Sequence, residues 1–141
     1  VFLPAGFRVI LVLVLGLPGA LGIALGSFYL DRDLIHSSLS LVLFNGLVSG
    51  LTPYAILKLL GNGQRSGALL QSLSPQRLLQ FILVFAAANA FMHQLGWTLL
   101  GRANVNMMVD VWPMFIGDAL GAVLVLYSIK FMLSLVRLKP I

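Results

Sequence analysis

One carboxylate stands out in a run that is otherwise apolar. Residues 112–127 read WPMFIGDALGAVLVLY, with Asp118 set between Gly117 and Gly121. Inside a bilayer a carboxylate near the centre of a helix costs roughly 2.5–3.5 kcal/mol on insertion scales, so it needs partners. Two other apolar runs carry polar side chains of similar placement, Asn45 and His93. Each of the three stands about seven residues in from one end of its run, roughly 10 Å below the surface at 1.5 Å rise per residue. Ser49 and Asn89 fall one helical turn deeper on the faces of Asn45 and His93. Asp118 is therefore expected to point into a helix bundle, within hydrogen-bonding reach of Asn45, His93 or Arg8.

Two kinds of chemistry suit such a layer. It can tie helices together, each interhelical hydrogen bond contributing about 0.6 kcal/mol, or it can contact a ligand or ion. No cofactor is expected. Haem or pigment ligation through His93 is disfavoured because His36, the other histidine, lies near the interface and no second spanning histidine can pair across a haem. One histidine and one carboxylate are too few ligands for a metal. No GxSxG or phosphate-loop pattern accompanies the serines, and no enzymatic activity is expected.

Composition sets the solvent in which these residues must be positioned. Apolar residues make up 60% of the 141 and charged residues 9%, against roughly 25% charged in ordinary soluble domains. An all-α integral membrane protein follows, with lipid around it and too little chain left for a soluble catalytic domain. The nine Lys and Arg are scattered rather than clustered, which points to membrane topology and away from nucleic acid. The absence of cysteine excludes disulfides and thiolate metal sites.

Breakers divide the chain. Residues 5–30 are interrupted at Gly16-Leu17-Pro18-Gly19 and read either as one kinked helix or as two short helices, 5–15 and 18–30, forming a hairpin at Leu17-Pro18-Gly19. Spans at 38–60, 76–100 and 111–135 follow, giving four or five helices. Ser37 or Ser38, Ser74 and Asp110 are the expected helix caps. Three glycine pairs, Gly22/Gly26, Gly46/Gly50 and Gly117/Gly121, each place two small residues on one helix face and are expected at close helix contacts. Lys58, Arg65, Arg77, Arg137 and Lys139 share one side without an acid. The positive-inside rule makes that side and the C-terminus cytoplasmic, in a multi-pass protein of a bacterial inner membrane. Arg8 is cytoplasmic in the one-helix reading and on the outer side in the hairpin reading. Phe28, Tyr29, Trp97 and Trp112 fall near the outer interface, where aromatic belts anchor.

Three stretches together resemble a known family. LPAGFRVILVLVLGLPGALGIALGSF is similar to the paired short-helix signature of the first class of membrane-associated sensor (MASE-type) domains. FNGLVSGLTPYAILKLL is similar to its asparagine-bearing helix, and MFIGDALGAVLVLY resembles its glycine-aspartate-alanine-leucine-glycine motif. Pro4, Ala5, Gly6, the Gly16 break, Asn45, Gly117, Asp118 and Gly121 carry the match. Trp112 stands alone before Pro113 where the family has more tryptophan. The resemblance implies a membrane sensory module, usually joined to a cytoplasmic cyclic-di-GMP enzyme or histidine kinase. With no output domain after Ile141, it implies signalling through a membrane-protein or cytoplasmic partner. It also implies the hairpin, which brings Arg8 near the level of Asp118. A Gly-Pro hairpin is likewise similar to one in substrate-binding subunits of energy-coupling-factor transporters. An accessory subunit that only packs within a larger membrane complex is the third reading.

Overall fold

The computed structural model describes residues 2–60 and 74–137, with side chains to residue 134. Among these the chain is all-helical: α1 Leu3–Leu15, α2 Leu17–Leu30, a short 3-10 turn Arg32–Leu34, α3 Ile35–Leu60, α4 Pro75–Leu99 and α5 Met107–Arg137. Three segments, Arg32–Leu60, Pro75–Leu99 and Met107–Ser134, are long and apolar enough to cross a membrane. The chain is thus an all-α membrane bundle. At 1.5 Å per residue α1 and α2 are only about 20 Å long, shorter than the roughly 30 Å hydrocarbon core.

The first apolar stretch is two helices and not one. Gly16 ends α1 with φ 64°, a conformation that costs glycine nothing, and donates its N–H to Val12 O at 2.8 Å. The turn is Gly16 itself, so Leu17-Pro18-Gly19 forms the first turn of α2, where a proline lacking its N–H loses no helical bond. Gly16 is buried, and Phe2 and Asp31 return to the same end of the bundle, where they line one cavity. The hairpin therefore enters from the Asp31 end and turns inside the protein.

Helix starts follow local chemistry. Ser38, with φ −161° and ψ 89°, interrupts the start of α3, and its Oγ accepts from Leu41 N at 3.4 Å, capping the long part of that helix. Ser74 Oγ accepts from Arg77 N at 3.3 Å at the start of α4, with Pro75 in the first turn. Asp110 is not the cap expected for the last helix. That helix begins a turn earlier, at Met107, and the Asp110 carboxylate reaches back to Asn106 N at 2.8 Å. It acts from within the first turn, where a negative charge also complements the helix dipole.

The helices close into a ring, α1 against α5, α5 against α4, α4 against α3, α3 against α2 and α2 back on α1, with α1 also reaching α3. Val9, Val12, Leu13, Leu78, Phe85 and Leu126 are fully buried in the core. Two of the glycine pairs sit at contacts. A Cβ on Gly46 would lie 2.9 Å from the Ala24 carbonyl oxygen, and one on Gly50 would run into the carbonyl of Ala20. Gly121 receives the carbonyl of Phe2, whose N–H donates to Gly117 O at 3.0 Å. Gly22 and Gly26 correct the expectation: both are exposed, and a Cβ on either would meet nothing within 4 Å. The buried side of α2 is Gly19, Ala20 and Ile23, leaving the Gly22/Gly26 pair turned outward. Three unpaired glycines make contacts the spacing did not reveal. Gly6 meets Val125 and the Gly121 carbonyl, Gly19 meets the Leu11 carbonyl, and Gly96 meets the Phe44 ring.

Candidate functional site

Helix α4 supplies the backbone of the site. Asn89, His93 and Trp97 recur every four residues and so fall on one face, directed at α3 and α5. Each meets a different partner. Asn89 Nδ2 donates to Asp118 Oδ2 on α5 at 2.7 Å, with Asn89 wholly buried and Asp118 2% exposed. His93 Nε2 lies 3.5 Å from Ser49 Oγ on α3. Trp97 Nε1 donates to Asn45 Oδ1 at 2.7 Å, and Asn45 Nδ2 donates to Asp31 Oδ2 at 2.9 Å.

These rungs correct the shared-depth expectation. Asn45 is level with Trp97 rather than His93, and His93 is level with Ser49. Asp118 is about eleven residues in from Met107, roughly 16 Å along the axis, because α5 starts earlier than its loop composition suggests. That depth puts it beside Asn89. Asp118 does point inward, but its hydrogen-bond partner is Asn89, not Asn45, His93 or Arg8. Among the described residues, Asn89 Oδ1, His93 Nδ1 and Gln94 Oε1 are buried without a hydrogen-bond partner.

Arg8 is the unpaired charge of the site. It projects from α1 into the bundle, and both the Asp118 and Asp31 carboxylates attract it. The expected Arg8–Asp118 ion pair is not closed, since among the described residues Arg32–Asp33, at 4.0 Å, is the one salt bridge. Arg8 makes no hydrogen bond there, and its guanidinium lies 5.4 Å from the centre of the Phe2 ring.

Between these groups is a cavity of about 210 Å³ at the Asp31 end. Every helix contributes to its wall. Arg8 comes from α1, Ser27 and Leu30 from α2, Asn45 and Ser49 from α3, His93 and Trp97 from α4, and Met114 from α5, with Phe2 and Asp31 at the helix ends. Asp118 and Asn89 do not line it; they lie behind the wall. The His93 ring is fixed between Phe44, at 6.2 Å and edge-on, and Trp97, at 5.3 Å.

Trp97 and Asp31 join the cavity wall although the sequence gives Trp97 only an interfacial place and does not single out Asp31. The signal was present for Trp97, four residues beyond His93 and eight beyond Asn89. For Asp31 no spacing predicts the contact, because the hairpin must fold before Asp31 meets Asn45. Among the described residues no three His, Cys, Asp or Glu side chains come together as a metal site. Comparison with family models, curated proteins and solved structures finds no match.

Proposed function

We propose that the chain is a membrane-embedded, ligand-responsive module that binds a small polar solute in the Arg8 cavity and passes its occupancy to a protein partner. The observation that carries this reading is a cavity that gathers the polar side chains of Arg8, Asp31, Asn45, Ser49 and His93 and to which all five described helices contribute. A solute there contacts every helix at once, so binding shifts the balance between their arrangements by its differential affinity for them. At about 210 Å³ the cavity is below the roughly 300–1,000 Å³ typical of pockets for drug-sized ligands, which suits a small solute. A subunit that only packs would have no use for an unpaired Arg8 inside the bundle.

Binding without bond chemistry is favoured by the Ser49–His93 pair. At 3.5 Å it is at the limit of a hydrogen bond, and among the described residues the other ring nitrogen has no group to orient it as a general base. The resemblance to membrane-associated sensor domains supports the same reading. Its orientation rests on charge: Lys58, Arg65, Arg77, Arg137 and Lys139 favour a cytoplasmic C-terminus in a bacterial inner membrane, which puts the Asp31 end and the cavity toward the outer side.

Native mass spectrometry from mild detergent tests the reading. The expected spectrum contains a retained low-mass solute that Arg8→Gln releases, and a signalling protein bound to the chain. Neither solute nor partner from a preparation that is otherwise folded would overturn it.

A further inference from the structure

The charges in the cavity wall identify the class of ligand, on the reading that the cavity is a ligand site. Arg8 and Asp31 line the same space and attract each other, yet they do not close to the 4.0 Å of an ion pair. Arg8 uses none of its donors in a hydrogen bond among the described residues, although a guanidinium offers five N–H groups in a fork that fits a carboxylate. Asp31 is half spoken for. Asn45 holds its Oδ2 at 2.9 Å, while Trp97 in turn fixes Asn45 at 2.7 Å, so the carboxylate is positioned with its other oxygen unassigned.

A ligand of one charge fits this wall poorly. An anion on Arg8 would face Asp31, and a cation on Asp31 would face Arg8. A molecule carrying both charges answers each. We propose that the cavity binds a small zwitterion, an α-amino acid, with its carboxylate on Arg8 and its ammonium on Asp31. In an α-amino acid the nitrogen and carboxyl carbon are about 2.5 Å apart, set by bonds of roughly 1.5 Å. With a charge-assisted hydrogen bond of about 2.8 Å at each end, such a molecule offers a partner to each of two opposite charges that do not close an ion pair with one another. Leu30 and Met114 provide apolar wall for a short side chain, and the volume of about 210 Å³ suits a small one. His93, 4% exposed, lines the same space.

Equilibrium binding to the full chain in detergent tests the proposal with L-alanine, propionate and ethylamine, the last two each lacking one of alanine's charges. A parallel set with glycine, serine and tryptophan reads the size limit. The expected result is saturable binding of one or more of the small amino acids, with propionate and ethylamine at least about tenfold weaker, as removal of one charge-assisted contact requires. Tryptophan should bind at least about tenfold more weakly than alanine. Arg8→Gln and Asp31→Asn should each weaken the amino acid at least about tenfold, and Asp31→Asn should leave propionate unchanged or tighter. The analogue comparison needs only the native chain, so it decides the matter even if a variant fails to fold. Propionate binding as tightly as alanine would overturn the zwitterion and leave an anion site, with the ligand-responsive reading intact. No binding by any amino acid would also overturn it, and native mass spectrometry then decides the broader reading separately by whether another solute is retained.

Discussion

Replacing Asp118 separates what its shape contributes from what its charge contributes. Asn89 donates to Asp118 at 2.7 Å, while Asn89 Oδ1 is buried with no acceptor role filled. Asp118→Leu removes the only partner that Asn89 has among the described residues and leaves its amide unsatisfied in a closed interior. A buried polar group without a partner costs about 1–3 kcal/mol, equivalent to a factor of roughly 5–150 in an equilibrium constant. Asp118→Asn acts differently. Its amide oxygen can accept the same bond from Asn89, and its new N–H₂ places a donor beside the orphaned Asn89 Oδ1. The charge attraction to Arg8 is lost, but so is the cost of holding a carboxylate inside the bundle. The expected order of stability is therefore native and Asp118→Asn together, with Asp118→Leu below both by about 1–3 kcal/mol. Reversible unfolding in mixed detergent micelles, followed by tryptophan fluorescence, measures the difference. If Asp118→Asn falls as far as Asp118→Leu, the attraction between Arg8 and Asp118 stabilises the bundle and the hydrogen bond does not. If Asp118→Leu matches the native chain, the buried pair contributes nothing and the argument fails.

Glycine replacements should divide by position: Gly50→Ala meets the Ala20 carbonyl and should cost about 1–3 kcal/mol by overpacking, whereas Gly22→Ala fills open space and should gain about 0.5–1 kcal/mol of helix propensity. Equal unfolding midpoints for the two would mean that α2 and α3 do not pack as described. Trp97→Phe removes the donor to Asn45 and should lower stability by about 0.5–1.5 kcal/mol while weakening solute binding through the loosened Asp31; unchanged thermal unfolding and binding would reduce Trp97 to an anchor. Reporter fusions after Ile141 and within residues 62–73, a stretch outside the described residues, should both report the cytoplasm, and a signal from the opposite side in either would refute the orientation.

The elements were legible because their punctuation is chemical. Gly16 and the Ser38 and Ser74 caps mark ends by backbone preference, which needs no tertiary context, while the loop expected at 61–75 lies almost wholly outside the described residues. Asp110 misled because a carboxylate can satisfy the first-turn N–H groups from inside the turn as well as from the cap, and the resulting error, a start at 111 where the helix begins at Met107, carried Asp118 to a different depth. The inward orientation of Asp118 was legible from desolvation alone, but its partner depended on registering three helices against one another. The Gly22/Gly26 failure has a different origin. In a soluble helix polarity marks the outward face, but α2 is apolar all round, since lipid and core are equally apolar to its side chains. Spacing shows that two glycines share a face; it does not show which way that face looks.

The Gly-Asp-Ala-Leu-Gly stretch of α5 divides its work between two neighbours. Its glycines receive the start of α1: Phe2 N–H reaches Gly117 O, the Phe2 carbonyl lies over Gly121, and Gly6 continues the contact against Val125 one turn further along. Its aspartate turns instead to α4 and Asn89. The two faces diverge because residues one apart are about 100° apart around a helix, so Asp118 cannot follow Gly117 toward α1. The glycine side sets how far α1 enters the bundle, and α1 carries Arg8. Two residues beyond Gly6, or about 200° around α1, Arg8 leaves the α5 contact and projects into the cavity. The close backbone seating of Phe2 thus fixes the depth of the only α1 cation, while Asp118 stays behind the wall near enough to attract it without closing a pair. A full Arg8–Asp118 salt bridge would have committed the carboxylate-matching fork of the guanidinium inside the protein and, on the proposed reading, left it less to offer a ligand. Anchoring Asp118 on Asn89 keeps that bridge open.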